Sequence, residues 1–139
     1  LKVSSIIGKF CERRKIEINE TKKLNCTIHV QDLNRTFIDK IFAVCDYTLL
    51  GNVNRHSRHL YDIAKIIPNI KFDNRFYELI GNVRKDRMLS KSNPSAQLEN
   101  NIAFESDYNN ITSKLLYDNI TYDEAIKNGI ERVLKLNVF

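Results

Sequence analysis

Turn formers are scarce in this chain: four glycines and two prolines among 139 residues, with no tryptophan and one methionine. So few tight-turn residues argue against an all-β sandwich or barrel and favour long helices joined by polar loops, with asparagine taking much of the turn role. Cys11, Cys26 and Cys45 are odd in number and have no C-x-x-C spacing. That indicates neither a disulfide framework nor a zinc site, and buried free thiols are the expectation. No run approaches the ~18 apolar residues of a membrane helix, and Leu1-Lys2-Val3-Ser4-Ser5 has no signal-peptide organisation. The expectation is a soluble, cytoplasmic chain with no membrane partner. Gly-rich phosphate loops, internal repeats, low-complexity tracts and a Ser/His/Asp order are missing as well.

What is present is a foldable composition. Hydrophobic residues make up 42%, including seven Phe and six Tyr, enough to bury a core in one domain. Twenty-two Lys and Arg against 17 Asp and Glu leave a net charge of +5. That is compatible with an anionic partner such as RNA or a nucleotide, though many ordinary domains carry as much.

Periodicity predicts a predominantly helical α+β fold: a short N-terminal helix and two short strands, followed by a bundle of about five helices. Val3, Ile6, Ile7 and Phe10 have helical spacing over 2–14. Ile16 and Ile18, then Leu24, Cys26, Ile28 and Val30, alternate with polar residues as two antiparallel strands would. From Asn34, a plausible N-cap, Phe37, Ile38, Ile41, Phe42, Val44, Cys45 and Leu49 line a helix that Gly51 stops. A second helix covers 54–67 up to Pro68. A third follows Asp73 to about Leu89, buried through Phe76, Leu79, Ile80, Val83 and Met88. Residues 90–101 read as a loop. Helices over 104–117 and 122–136 close the chain, the last opened by a Thr121/Glu124 capping box and buried through Tyr122, Ala125, Ile126, Ile130, Val133 and Leu134.

The polar face of the second helix gathers Arg55, Arg58, Asp62 and Lys65 within about 80°. It reads either as a solvated surface with an Arg58/Asp62 pair contributing ~0.3–0.5 kcal/mol, or as a phosphate-facing strip whose carboxylate orients an Arg or takes a proton. Lys40, at the flank of the preceding helix beside Thr36 and Tyr47, either snorkels along the core edge or binds a phosphate. His29, His56 and His59 form no metal set, and His59 reads as a packing residue. Glu105/Asp107 and Asp123/Glu124 read more simply as helix N-terminal charge than as divalent-ion pairs.

The run Asn34-Arg35-Thr36-Phe37-Ile38-Asp39-Lys40-Ile41-Phe42-Ala43-Val44-Cys45-Asp46-Tyr47, followed by Arg55-His56-Ser57-Arg58-His59-Leu60-Tyr61-Asp62-Ile63, resembles two linked segments of the AbiEii/AbiGii nucleotidyltransferase toxins. Val83-Arg84-Lys85-Asp86-Arg87, the Pro94-Ser95-Ala96 loop and the closing helices are similar to that family's carboxy-terminal half, so the resemblance covers about 24–139. It implies a polymerase-β-like nucleotidyltransferase, a bacterial toxin of toxin–antitoxin or phage-defence systems, moving a nucleotide from an NTP to an acceptor such as tRNA or another RNA. Residues 1–33 would end the nucleotidyltransferase core, and 34–139 would form the helical region carrying the Lys and Asp motifs. Lys40 would hold the triphosphate, with Arg55 and Arg58 adding phosphate or RNA contacts, and Asp62 would orient these groups or assist the acceptor hydroxyl.

The resemblance also implies Mg2+ on an early Asp-x-Asp pair that follows a Gly-Ser turn. Neither occurs in these residues, so none of the family's metal ligands is expected here, and the chain alone is expected to be inactive. A cognate antitoxin is the implied protein partner, and pairing of an exposed strand edge with a second copy is compatible with this topology. The competing expectations are a non-catalytic helical module that binds RNA or a protein partner, and a helical domain whose charged face is merely solvated.

Overall fold

The computed structural model describes residues 2–4, 10–11, 13–16, 25–27, 29–87 and 93–139. The chain divides into two compact units, Leu1–Gln31 and Asp32–Phe139. In the first, β1 (Lys2–Ser4) pairs antiparallel with β2 (Asn25–Thr27) in the register Val3 opposite Cys26. The expected helix over 2–14 is therefore wrong at its start, where the backbone of Lys2–Ser4 finds its partners in another strand instead of in its own next turn. Helical backbone occurs at residues 10–11 and 13–14, and Lys15 leaves it with φ 53°. Of the strand expected at Ile16–Ile18, only Ile16 is among the described residues. Ile16 is irregular, and 17–24 lie outside the described residues, as does Ile28 of the expected inward face. Val30, also expected inward, is exposed.

The second unit is helical. α1 (Leu33–Leu50) is capped two residues ahead of the expected Asn34, by Asp32, whose carboxylate accepts the N–H groups of Asn34 and Arg35. Gly51 ends it at φ 63°, a left-handed value that costs glycine nothing. The apolar arc is buried from Phe37 to Cys45, whereas Leu49 is exposed. Each fully buried Phe or Ile contributes about 1.5–3 kcal/mol, so this arc organises the unit. The Cys45 thiol is buried and its pKa is pushed up to about 12, chiefly by that burial and then by the neighbouring Asp46, as fits an inert core thiol.

α2 (Arg58–Ile66) buries Leu60, Ile63 and Ala64 against that arc. α3 (Asn74–Lys85), capped by Asp73, adds Phe76, Ile80 and Val83. Its expected extension toward Leu89, with Met88, falls partly on 88–92, outside the described residues. Residues 94–99, expected as loop, form the short helix α4 (Pro94–Glu99): Asn93 caps it, and Pro94 sits in the first turn, where its missing N–H costs no hydrogen bond.

The expected helix over 104–117 is broken. α5 covers only Glu105–Asn110, and single 3₁₀ turns flank it at Asn101–Phe104 and Thr112–Leu115. Asparagine, serine and threonine there compete for the backbone, Ser113 Oγ donating to the carbonyl of Asn109 at 2.8 Å.

The last rod is α6 (Tyr122–Ala125), a π-helical turn (Ile126–Ile130) and α7 (Glu131–Leu136), opened by the Thr121/Glu124 capping box. Gly129 in the π turn lies against the α2 backbone, and a Cβ there would stand 3.1 Å from the Ala64 nitrogen. No side chain fits without displacement, so glycine sets how closely the rod approaches α2. No helix among the described residues is long and apolar enough to cross a membrane.

Candidate functional site

α1 and α2 each contribute one of the charged residues that the sequence singled out. Lys40 projects from the flank of α1 and Asp62 from the second turn of α2, and Lys40 Nζ meets Asp62 Oδ2 at 2.7 Å with both side chains about a third exposed. The Arg58/Asp62 pair expected on one helix face is not formed. Asp62 turns to the neighbouring helix, where a compact ammonium reaches it without distorting the helix. Such a half-exposed pair adds only about 1 kcal/mol to stability, and it leaves a cation and an anion accessible at one spot.

Neither Arg55 nor Arg58 forms an ion pair with Asp62, whose cation partner is Lys40. Arg55 was expected on the face of a helix starting near 54, but α2 begins at Arg58, and Arg55 sits in the preceding loop with φ 63°. The reason is Asp107 on α5. Its carboxylate accepts the N–H of Arg55 at 2.7 Å on Oδ1 and the N–H of Ser57 at 3.1 Å on Oδ2. Beside it the Ser57 hydroxyl shares a buried 2.7 Å hydrogen bond with Thr112. Burial works to raise the Asp107 carboxyl, but the Ser57 hydroxyl and the two N–H groups outweigh it and hold the group below the usual range.

The clamp fixes a positive-φ arginine that would otherwise relax, a cost of about 1–3 kcal/mol. Both guanidinium groups are exposed, and neither pairs with a carboxylate among the described residues. Asp107 had read as plain helix N-terminal charge. The hydrogen bonds that reveal its role join residues about 50 positions apart, which no local pattern records.

Three rings stack beside the Lys40–Asp62 pair. Tyr47 of α1 lies parallel to His56 with centroids 3.5 Å apart and to His59 at 5.9 Å, and the two imidazoles are 6.2 Å apart. His59 is 8% exposed, as a packing residue should be. Burial, then the Lys40 charge, drive its pKa down to about 4 against the pull of Asp62. His56 is lowered in the same sense, by burial and by Arg58.

Among the described residues no three His, Cys, Asp or Glu side chains converge in a way that could hold a metal ion. A cleft of about 760 Å³ lies elsewhere, at the starts of α1 and α3, lined by Arg35, Lys71 and Arg75 against Asp32, Asp73 and Glu78. Three cations there meet three anions, which gives no net attraction for an anionic ligand.

The family model of the nucleotidyl transferase AbiEii toxin of type IV toxin–antitoxin systems matches residues 8–128. The chain belongs to the AbiEii family. The AbiEii match takes in both sequence blocks, 34–47 and 55–63, and with them every candidate side chain described above. No curated protein and no solved structure matches the chain.

Proposed function

We infer that this AbiEii chain takes part in moving a nucleotide from an NTP to an acceptor, an RNA such as tRNA, and that Lys40 and Asp62 are its reacting-site residues. The supporting observation is the Lys40–Asp62 contact at 2.7 Å between α1 and α2. In this reading Lys40 binds the triphosphate as a point charge. Arg58, at the start of α2, and Arg55, in the loop clamped by Asp107, add phosphate or RNA contacts with forked donors. Asp62 orients Lys40 and faces the acceptor hydroxyl.

Mg2+ belongs to the chemistry the family implies, but the described residues do not fit it. The Asp-x-Asp pair is missing from the sequence, and no acidic cluster among the described residues replaces it. The roles given to Lys40, Arg55, Arg58 and Asp62 are accordingly in binding and orientation, and the chain alone is expected to bind the nucleotide without turning it over. A cognate antitoxin is the protein partner that a toxin of this family implies.

Titrating each NTP into the protein tests the reading. Lys40→Ala is expected to weaken nucleotide binding at least tenfold, about 1.4 kcal/mol, with Arg58→Ala weakening it less. Equal nucleotide binding by wild type and Lys40→Ala would remove the reading. RNA binding that persists in that case would favour a non-catalytic helical module.

A further inference from the structure

Asp62 Oδ2 has two nitrogens near it and a bond to only one. Lys40 Nζ is 2.7 Å away, while His59 Nδ1, one turn earlier on the same helix, stops at 4.0 Å. No hydrogen bond forms at that separation, and His59 Nδ1 is buried without a partner among the described residues. Leaving a buried nitrogen unsatisfied costs about 1–3 kcal/mol. The ring has little room to turn elsewhere, because Tyr47 lies parallel to it and it is 8% exposed.

The charges around the ring explain what keeps it idle. Lys40 and Tyr47 face it from α1, Asp62 and Arg58 from its own helix, and His56 from the loop. Burial and the Lys40 charge oppose a proton on the ring, Arg58 and His56 add to them, and Asp62 alone favours it. A polyphosphate that draws Lys40 toward itself changes both sides of this balance at once. The cation repelling the proton is neutralised, and the carboxylate attracting it loses its partner.

We propose that His59 is a positioning residue that replaces Lys40 at Asp62 when a polyphosphate engages Lys40, its ring taking one proton from solvent and donating Nδ1–H to Oδ2. The proton is all that is transferred, and no bond between heavy atoms forms or breaks. Asp62 thereby stays oriented with the ligand bound, instead of standing as an unpaired anion beside the phosphates. The proposal rests on reading Lys40 as the phosphate-binding lysine.

Ring titrations of the whole chain by NMR separate the two ideas, with the His59 signal assigned by its loss in His59→Gln. In Lys40→Met without ligand, the His59 midpoint is expected to rise by about 1–3 pH units. Lys40→Gln serves the same purpose if methionine impairs folding. Tripolyphosphate should raise the midpoint in wild type, and Asp62→Asn should cancel the rise. If the lysine variants titrate like wild type, the exchange is refuted. Tripolyphosphate that binds without moving His59 refutes it too, while leaving the phosphate-binding reading intact. If the lysine variants shift His59 but wild type binds no tripolyphosphate, the phosphate reading fails and the ligand-driven exchange falls with it.

Discussion

α1 carries two sets of charges on two flanks, and they are built differently. On one flank Arg87 divides its guanidinium between Asp46, at 2.8 Å, and Asp39, at 3.3 Å, while Arg35 holds Asp39 from one turn away at 3.1 Å. A forked cation spread over two carboxylates of one helix ties the end of α3 to α1. On the other flank a single lysine meets a single aspartate, and the nearest further donor, His59, is held 4.0 Å off. The first arrangement gives up geometry and entropy for cohesion. The second keeps a partner in reserve, as a site whose contacts must change on binding requires.

The largest expected effect separates the flanks by pH. His59 is neutral in both folded and unfolded chains above about 6.5, so pH does not act through it there. Between its ordinary value of 6.5 and about 4, the unfolded chain binds a proton that the folded chain does not, so stability falls as pH falls. The full loss, about 3 kcal/mol, is reached below about 4. Urea unfolding at several pH values should show this slope in wild type and a shallower one in His59→Gln. Equal slopes would mean that the Lys40–Asp62 flank is no more strained than the Arg87 flank.

Paired substitutions come next. Arg87→Ala leaves two carboxylates on α1 without their shared cation and is expected to lower stability by about 2 kcal/mol, discounted because the guanidinium is 30% exposed. Nucleotide affinity should be unchanged. Lys40→Ala should do the reverse, costing about 1 kcal/mol of stability or less while removing most nucleotide binding. Thermal unfolding and a binding titration on both variants check the crossing pattern, and two variants that behave alike would erase the contrast.

Asp107→Asn provides an intermediate case. The amide keeps one acceptor oxygen, so one of the two clamped N–H groups of Arg55 and Ser57 loses its bond. About 1–2 kcal/mol of stability should go. Arg55, held at φ 63°, should relax with a moderate loss of nucleotide affinity. Hydrogen exchange at Arg55 and Ser57, faster than at the α1 amides, is the direct measurement.

The sequence discloses these flanks unequally. The apolar arc of α1, the Gly51 stop and the Thr121/Glu124 box were legible because they repeat within a turn or two of helix. Lys40 and Asp62 were legible as candidates through the family resemblance, but their mutual contact was not, since a pattern along one helix pointed Asp62 at Arg58. The Asp107 clamp joins residues 50 and 52 positions apart, and the Tyr47–His56–His59 stack crosses from α1 to the following loop and α2, so neither leaves a trace in the pattern of a single helix. Lys2–Ser4 is not legible as a strand because three residues are too few to show a period of their own. Their pairing with Asn25–Thr27 is decided by a strand more than 20 positions away.

The smallest effect belongs to Arg35. Its bond to Asp39 spans one turn of α1, and its side chain is 38% exposed, the setting in which an ion pair contributes about 0.3–0.5 kcal/mol. Asp39 also keeps Arg87, so Arg35→Ala leaves no buried anion behind. Stability should fall by no more than about 0.5 kcal/mol, and by less in high salt, because screening already removes much of an exposed pair. The double variant Arg35→Ala/Arg87→Ala sharpens the comparison. If the two cations act as one network, the loss should exceed the sum of the single losses, because Asp39 then has neither guanidinium. Simple additivity by chemical denaturation would instead make Arg87 the one cation that holds this flank together.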